Sequence, residues 1–395
     1  MVNVKQRLEV MIIAGEPSGD ERGAELVVSL REKLRAQGAE FAPRIFGAGG
    51  PALQAAGVEL KVNMMELAVV GLSEVIKNFR RFQAVFAQLL EVAAARQPDL
   101  IICIDFSGFN RRFATAIRKL TAGKRGPFAN WQPKIVQFVS PQVWASRPGR
   151  AYQMAKDLDL LISIFPFEQA WYAQRVPQLA VEYVGHPLMD QHRTIGVDSA
   201  KALTPLVLLL PGSRRDEIRR HLPVLLEACA LMDRAGQFRY RVIFPNPELR
   251  QLAQPWLDQH PKVQAQLGGL TESLQEASVA LASTGTVTLE CALFELPTVA
   301  LYKTSWPTYL IGRQIVQVKY LAMPNILADE PIFPEFIQAE ATSANLAQSA
   351  LELLNNPERR NVLKAKLKQL KGQLGSPGAC GRAAEAILSM LSESK

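Results

Sequence analysis

The chain has 395 residues, 48% hydrophobic and 21% charged, with 45 Lys+Arg against 37 Asp+Glu for a formal charge of +8. That length is too great for one ordinary core and suits two domains of roughly 150–200 residues, and the composition excludes disorder as the default. The cationic balance favours anionic partners (nucleotides, phosphorylated substrates, an anionic membrane face), whereas nucleic acid is disfavoured because no RNP, zinc-finger or helix-turn-helix signature occurs.

The opening stretch MVNVKQRLEVMIIAGEPSGD has a five-residue apolar core and no small-residue cleavage pattern, so no signal peptide is expected. Its apolar run breaks into Gly15, Glu16, Pro17, Ser18, Gly19 and Asp20. Ser18 and Glu21 form an S-x-x-E pair, which predicts a capping box at a helix start. Gly15 and Gly19 keep side chains away from whatever the turn meets. The turn is not the dinucleotide fingerprint G-x-G-x-x-G, so NAD is disfavoured. FGAGGP at 46–51 reads as a loop after a short strand.

Segment 66–90 sets Val69, Val70, Leu72, Val75, Ile76 and Phe79 beside Lys77, Arg80 and Arg81. Apolar anchors flanked by cations suit an interfacial helix on anionic headgroups; core packing explains the same stripe. DLIICID then ends in Asp105, where α/β enzymes keep reactive groups. Asp105 is a candidate general base for an attacking hydroxyl, or a cap for the helix holding Asn110 to Leu120. KIVQFVSP, LLISIFP and VEYVGHP continue the strand series. Their continuous hydrophobicity marks strands covered on both faces, hence a parallel sheet with helices between. Asp157-Leu158-Asp159 matches D-x-D but leads straight into LLISIF and reads as the start of a strand. His186 in VGHP is the second-choice base, or a structural hydrogen-bonding residue.

After the polar DQHRTIGVDSAKAL, a linker near 197–203 precedes a second strand series: PLVLLLPGS, RYRVIFPNP, VALASTG and LPTVALY. Two Rossmann-like units facing a cleft would place ligands at the carboxyl ends of both strand sets. In the first of these, Pro211, Gly212 and Ser213 lead into a helix with Ser213 and Asp216 as potential caps. Its starting amides, with Arg214 and Arg215, suit a diphosphate; a capped helix with solvated arginines reads equally well. VALASTGTVTLE adds Ser283, Thr284, Gly285 and Thr286, which let a ligand approach the backbone, and Glu290 one helical turn on, placed for ribose hydroxyls or a helix salt bridge. Two strand-turn-helix units of this type favour a nucleotide site.

From Ser343 the pattern is helical, with Pro357 in a first turn and GSPGACG separating the last two helices. Ser278 to Tyr302 is interrupted by Glu290, Glu295 and Pro297, against a spanning helix, so any membrane contact is expected to be peripheral. The four histidines, His186, His192, His221 and His260, show no paired ligand spacing, and no metal is expected. Cys103, Cys229, Cys291 and Cys380 form no C-x-x-C pair and read as buried reduced thiols of a cytosolic protein.

Taken in order, AGEPSGD, GAGGPALQAAG, ELAVVGLSEV, SPQVWA, PFE, VGHPLMD, LLPGSR, GTVTLE and MPNILA…PEFIQ resemble the lipid-A-disaccharide synthases, glycosyltransferases of the two-Rossmann (GT-B) type. The resemblance covers nearly the whole chain. It implies inverting transfer, with no cofactor, of 2,3-diacylglucosamine from its UDP derivative to the 6-hydroxyl of 2,3-diacylglucosamine 1-phosphate, forming a β(1→6) disaccharide and releasing UDP. It implies Asp105 as the catalytic aspartate, Arg214 as the phosphate-binding arginine, and Glu290 as a nucleotide contact. Asn325 and Gln338 match further donor-site residues, and Gly15, Ser18, Gly19, Ser140 and Trp144 fall on the acceptor side.

The implied organisation is an acceptor and membrane domain at 1–200, a UDP-sugar domain at 201–355 and helices at 356–395 packing back across both. The implied setting is the cytoplasmic face of the inner membrane, with peripheral contact to anionic lipid and a possible homodimer exchanging C-terminal elements. The chain departs from the family where I-D-x-P-D-F-N becomes IDFSGFN, with Phe106, Ser107 and Gly108. It departs again where Ser146 replaces an aromatic residue and where Asp329 replaces a glycine after NILA. Other readings are a UDP-sugar 2-epimerase of the same fold, and a diverged non-catalytic relative that binds UDP-sugar or lipid.

Overall fold

The computed structural model describes residues 8–68, 75–122, 130–191 and 204–393, without the side chains of 67–68, 75–79, 191 and 393. The linker predicted near 197–203 and the anchors Val69, Val70 and Leu72 therefore lie outside the described residues, as do the side chains of Val75, Ile76 and Phe79. The chain divides into two compact units, 1–191 together with 374–395, and 192–373.

The first unit holds β1 (Glu9–Ala14), β2 (Arg44–Gly49), β3 (Glu59–Asn63), β4 (Leu100–Ile104), β5 (Lys134–Phe138), β6 (Leu160–Ser163) and β7 (Ala180–Tyr183). All seven run parallel, in the order β3-β2-β1-β4-β5-β6-β7. Central β1 and β4 are VMIIA and LIICI with every one of those residues buried, because helices cover both faces of a parallel sheet. Edge β3 has no buried residue. FGAGGP is not a loop throughout: β2 runs to Gly49 and a helix begins at Pro51. On one face, Phe82, Phe86 and Leu90 of the helix Val75–Arg96 join Phe109 and Phe113 in the core, while Arg80 and Arg81 of the basic-apolar stripe are exposed. The last helix, Ala379–Glu393, packs against the first, Pro17–Ala36.

The second unit holds β8 (Leu206–Leu210), β9 (Arg239–Phe244), β10 (Val263–Leu267), β11 (Val279–Ser283), β12 (Thr298–Tyr302) and β13 (Glu335–Ile337), parallel in the order β10-β9-β8-β11-β12-β13. Central β8 and β11, LVLLL and VALAS, are again wholly buried. Helices Ser343–Asn355 and Pro357–Gln373 follow, with Pro357 at the helix start as its fixed φ favours. All four cysteines are buried, and no described helix is long and apolar enough to cross a membrane.

Each sheet starts from one strand and builds outward in both directions, so each has a point where the order reverses: β1/β4 in the first unit and β8/β11 in the second. Crossovers diverge there and leave a crevice beyond the carboxyl ends of the strands.

Candidate active-site elements

At the first reversal point, β1 ends at Ala14 and is followed by Gly15, and the helix Pro17–Ala36 comes next with Glu16 at its N-cap and no side-chain cap bond. The predicted capping box is therefore absent: Pro17 takes the first helical position, so Ser18 already lies inside the helix and is exposed. The acid that matters here is Asp20, which is 3% exposed. Its carboxylate accepts from Gly50 N at 2.7 Å, Ala52 N at 2.9 Å and Leu53 N at 3.3 Å, capping the helix Pro51–Ala55 and tying the β1 turn to the β2 turn. A Cβ at Gly50 would stand 2.5 Å from Met65 Cγ and 2.7 Å from this carboxylate, and one at Gly49 would overlap Leu53 Cδ1, so neither glycine has room for a side chain.

β4 ends in a strained pair: Asp105 and Phe106 take φ of 47° and 41°, a conformation that costs about 1–3 kcal/mol for each side-chain-bearing residue. Val139, just past β5, has φ 68°. Two buried amides hold these turns. Asn110 Nδ2 donates to Asp105 O at 3.0 Å and Ile104 O at 3.1 Å; Gln137 Nε2 donates to Asp105 O at 3.1 Å and Val139 O at 3.2 Å. Asn110 Oδ1 is the buried side-chain atom left without a partner among the described residues, a further cost concentrated at this turn.

The strain aims Asp105. The helix Ser107–Thr121 has Phe106 as its N-cap and no side-chain cap, so the capping role considered for Asp105 is not taken up. The Asp105 carboxylate is 36% exposed and pairs with Arg22 at 3.5 Å. The Phe106 ring stacks on Phe109 at 5.4 Å and covers Gly15 so closely that a Cβ there would overlap it. Gly19 lies next to the base: a Cβ at Gly19 would stand 3.8 Å from the Asp105 Cβ. Gly15, Gly19 and Asp105 are thus brought together.

The other residues of this side form a buried polar cluster past β5, β6 and β7. Ser140 Oγ donates to the Tyr172 hydroxyl at 3.2 Å, and Trp144 Nε1 donates to Glu168 Oε1 at 2.9 Å. Glu168, 0% exposed, is pushed up to about 7 by burial, against hydrogen bonds from Trp144, Ser140, Phe165 and Ser163. His186 is 2% exposed and its Nδ1 accepts from Leu188 N at 3.2 Å, while burial and then the Arg22 charge push its pKa down to about 3. The Nδ1 of His186 is thus already engaged by the backbone that follows β7. Ser140 and Trp144 thus spend their polar atoms within this cluster.

The second reversal point carries a cavity of about 420 Å³. Gly212, Ser213 and Arg214 line it from β8, and Gly285, Thr286 and Glu290 from β11, with Leu210, Ile243 and Leu270 as apolar wall. Six residues from two separate stretches of sequence therefore converge. The diphosphate groups differ from the sequence reading in one respect. Neither Ser213 nor Asp216 caps the helix Arg215–Met232: Glu217 reaches back, its Oε2 accepting from Ser213 N at 2.9 Å and Arg214 N at 3.2 Å. Those amides are thus already engaged, and Arg215 pairs with Glu248. The Arg214 guanidinium, 81% exposed, pairs with Glu217 at 3.4 Å while facing solvent, and the start of the helix Thr286–Leu293 has no side-chain cap; these are the groups an anion can reach. Glu290 makes no ion pair among the described residues, and burial alone pushes its pKa up to about 7. Such a carboxylate gains from hydroxyl donors.

Asn325 and Gln338 are not among the residues lining this cavity. Asn325, 0% exposed, spends its amide on Phe333 O and N, both at 2.8 Å, and on Glu335 Oε1 at 2.7 Å. That brace fixes the helix Met323–Ala328, whose Met323 N donates to Thr288 in the cavity's own helix at 3.2 Å. Gln338 exchanges both amide bonds with the Thr304 backbone, at 3.0 and 2.9 Å. His221, which the sequence shows only as lacking metal-ligand spacing, fixes the β8 turn: Nδ1 donates to Pro211 O at 2.8 Å and Nε2 accepts from Lys303 N at 2.9 Å. Its only signal is a histidine two turns into a helix that follows a glycine turn.

Two Rossmann-like units with sites at their strand-order reversals are the fold class of the GT-B glycosyltransferases. Solved structures agree in fold: a putative UDP-N-acetylglucosamine 2-epimerase from Listeria monocytogenes superposes with TM-score 0.62 at 16% identity, covering 99% of this chain and 98% of that one. The calicheamicin glycosyltransferase CalG4 gives 0.59 at 15%, covering 98% and 99%. The family model for lipid-A-disaccharide synthetase matches residues 10–389. The lipid-A-disaccharide synthases of Syntrophus aciditrophicus and Geobacter sulfurreducens are 34% and 36% identical, covering 98% and 97% of this chain and the same shares of theirs. The chain belongs to the lipid-A-disaccharide synthase family, and it is a glycosyltransferase of the hexosyl-transferring kind.

Proposed function

We propose that the chain transfers 2,3-diacylglucosamine from its UDP derivative to the 6-hydroxyl of 2,3-diacylglucosamine 1-phosphate, with inversion, giving the β(1→6) disaccharide and UDP. The family match over residues 10–389 carries this reading. The residue chemistry supports it. Asp105, held outward by a strained turn and free of any capping duty, is the group to take the proton from the attacking hydroxyl. In the second unit, Arg214 and the helix start at Thr286 offset the charge of the departing diphosphate, and Glu290 accepts from the ribose hydroxyls. Asn325, Gln338 and His221 act at one remove, as positioning residues for the turns around that cavity. Gly15, Ser18 and Gly19 belong to the acceptor side with Asp105, and Ser140 and Trp144 support it.

Acylated substrates reside in lipid, so contact with an anionic membrane surface from the cytoplasmic side is part of the proposal. The helix Trp306–Ile315 supports it: no residue of this helix is buried, and Trp306, Leu310 and Ile311 are 58%, 56% and 59% exposed beside Arg313. Assembly as a homodimer rests on the family resemblance. The epimerase reading rests on fold likeness at 16% identity, against 34–36% over nearly the whole chain for the synthases.

The test is a mass-spectrometric transfer assay with UDP-2,3-diacylglucosamine and the 1-phosphate acceptor, comparing wild type with Asp105→Asn. A fall of about 10²–10⁴-fold with unchanged UDP affinity is expected. Equal rates would remove Asp105 from the base role. Product from neither protein, with epimer formed from UDP-N-acetylglucosamine alone, would favour the epimerase.

A further inference from the structure

Four arginines of the first unit follow closely on the turns after β4 and β5. Arg111 and Arg112 lie on the helix Ser107–Thr121, which starts two residues after Asp105; Arg147 and Arg150 lie on the connection after β5, Arg150 opening the helix Arg150–Asp157. The two helices pack side by side and run in the same direction. Thr115 Oγ1 donates to the Asp157 carboxylate, and Arg118 Nε donates to Asp157 O at 2.9 Å. One turn before Thr115, on the same face, is Arg111; the corresponding end of the neighbouring helix is Arg150. The four arginines therefore lie near the starts of both helices, at the carboxyl edge of the sheet that also carries Asp105. Arg111 lies about 6 Å along its helix from Ser107.

None of the four makes an ion pair or side-chain hydrogen bond with a described residue. Arg118, two turns further along the same helix, is by contrast paired with Asp159. The cluster is close enough for mutual repulsion: burial first, then the charges of Arg111, Arg147 and Arg112, lower the pKa of Arg150. Like charges held together without a counter-ion destabilise the fold, and a multiply charged oxyanion offsets that cost through several charge-assisted hydrogen bonds.

We propose that Arg111, Arg112, Arg147 and Arg150 form a phosphomonoester subsite, which holds the 1-phosphate of the acceptor and so presents its sugar to Asp105. The identity of the phosphate as the acceptor's rests on the transferase reading; the anion site itself does not. The shared chemistry, a phosphate on an acylated molecule, could also come from a bilayer headgroup, and the test separates the two sources.

The experiment compares wild type, Arg147→Ala/Arg150→Ala and Arg111→Ala/Arg112→Ala with the acceptor carrying its 1-phosphate and with the same acceptor lacking it. Calorimetric binding of each acceptor without donor is measured alongside transfer. The expected result is a KM and Kd for the phosphorylated acceptor raised about tenfold or more in each double variant. The dephosphorylated acceptor, the donor KM and the UDP affinity should be unmoved. Variants that still distinguish the two acceptors as wild type does would overturn the proposal. So would loss of binding to vesicles containing phosphatidylglycerol with acceptor discrimination intact, which would assign the arginines to the bilayer. If wild type transfers to neither acceptor but binds the phosphorylated one through these arginines, the transferase reading fails and the anion site stands.

Discussion

Glu290 offers a quantitative test of the second site. Its carboxyl sits in the wall of the cavity without an ion pair to any described residue, and burial raises its pKa from 4.5 to about 7. That difference corresponds to about 3 kcal/mol of folding free energy. The folded state holds the proton more tightly than the unfolded one, so this contribution is complete below 4.5 and is lost as pH rises through 7. Glu290→Gln keeps the shape and removes the titration. Scanning calorimetry at about pH 5 and about pH 8.5, following the transition that UDP shifts, should show the variant gaining on wild type by up to about 3 kcal/mol at the higher pH. Hydroxyl donors from a ribose favour the ionised form, so UDP binding near pH 7 should expel up to about half a proton. Titration calorimetry in buffers of different ionisation enthalpy reads that release. A wild type and variant that differ equally at both pH values, or that release the same number of protons, would refute the reasoning.

His186 has the opposite sign. Its pKa falls from 6.5 to about 3, so its contribution is present above 6.5 and is lost as pH falls below it. Urea midpoints of His186→Gln should therefore vary less steeply with pH below 6.5 than those of wild type, and parallel curves would contradict the buried neutral ring. Gly15→Ala should cost about 1–3 kcal/mol because its Cβ would overlap the Phe106 ring. Gly108→Asp restores an acid where the family carries one; a Cβ at Gly108 meets nothing within 4 Å. Thermal unfolding should show it neutral or stabilised by about 0.5–1 kcal/mol from its place in the first helical turn. Asp329 has φ 51° at the end of the helix Met323–Ala328, where the family's glycine adopts that conformation freely. Asp329→Gly should raise stability by up to about 1 kcal/mol, and a lowered midpoint would mean that the aspartate side chain holds the turn.

The central strands were legible because burial on both faces leaves continuous apolar runs: β1, β4, β5, β6, β8, β9, β11 and β12 all fall on runs that stand out in the sequence. Edge strands carry a weaker signal: β7 falls on VEYVGHP, which the sequence shows, but the other edges do not stand out. β3 (ELKVN), β10 (VQAQL) and β13 (EFI) are half-exposed and short, and the glycines of β2 disguise it as a loop.

The sequence by itself determined the two α/β units, the glycine turns, and the presence of Asp105, Arg214 and Glu290 at or just beyond strand ends, because backbone propensity and apolar periodicity are local properties. Which turns meet was decided only by strand order. Positions 212–214 and 285–290 share a cavity because β8 and β11 are neighbours, and Gly19 reaches Asp105 because β1 and β4 are. Side-chain partners were likewise beyond local pattern. Glu217 occupies amides that the turn alone would offer to a phosphate, and Asp20 rather than Ser18 is the working cap. In each case the hydrogen-bond partner comes from geometry that the chain acquires only on folding.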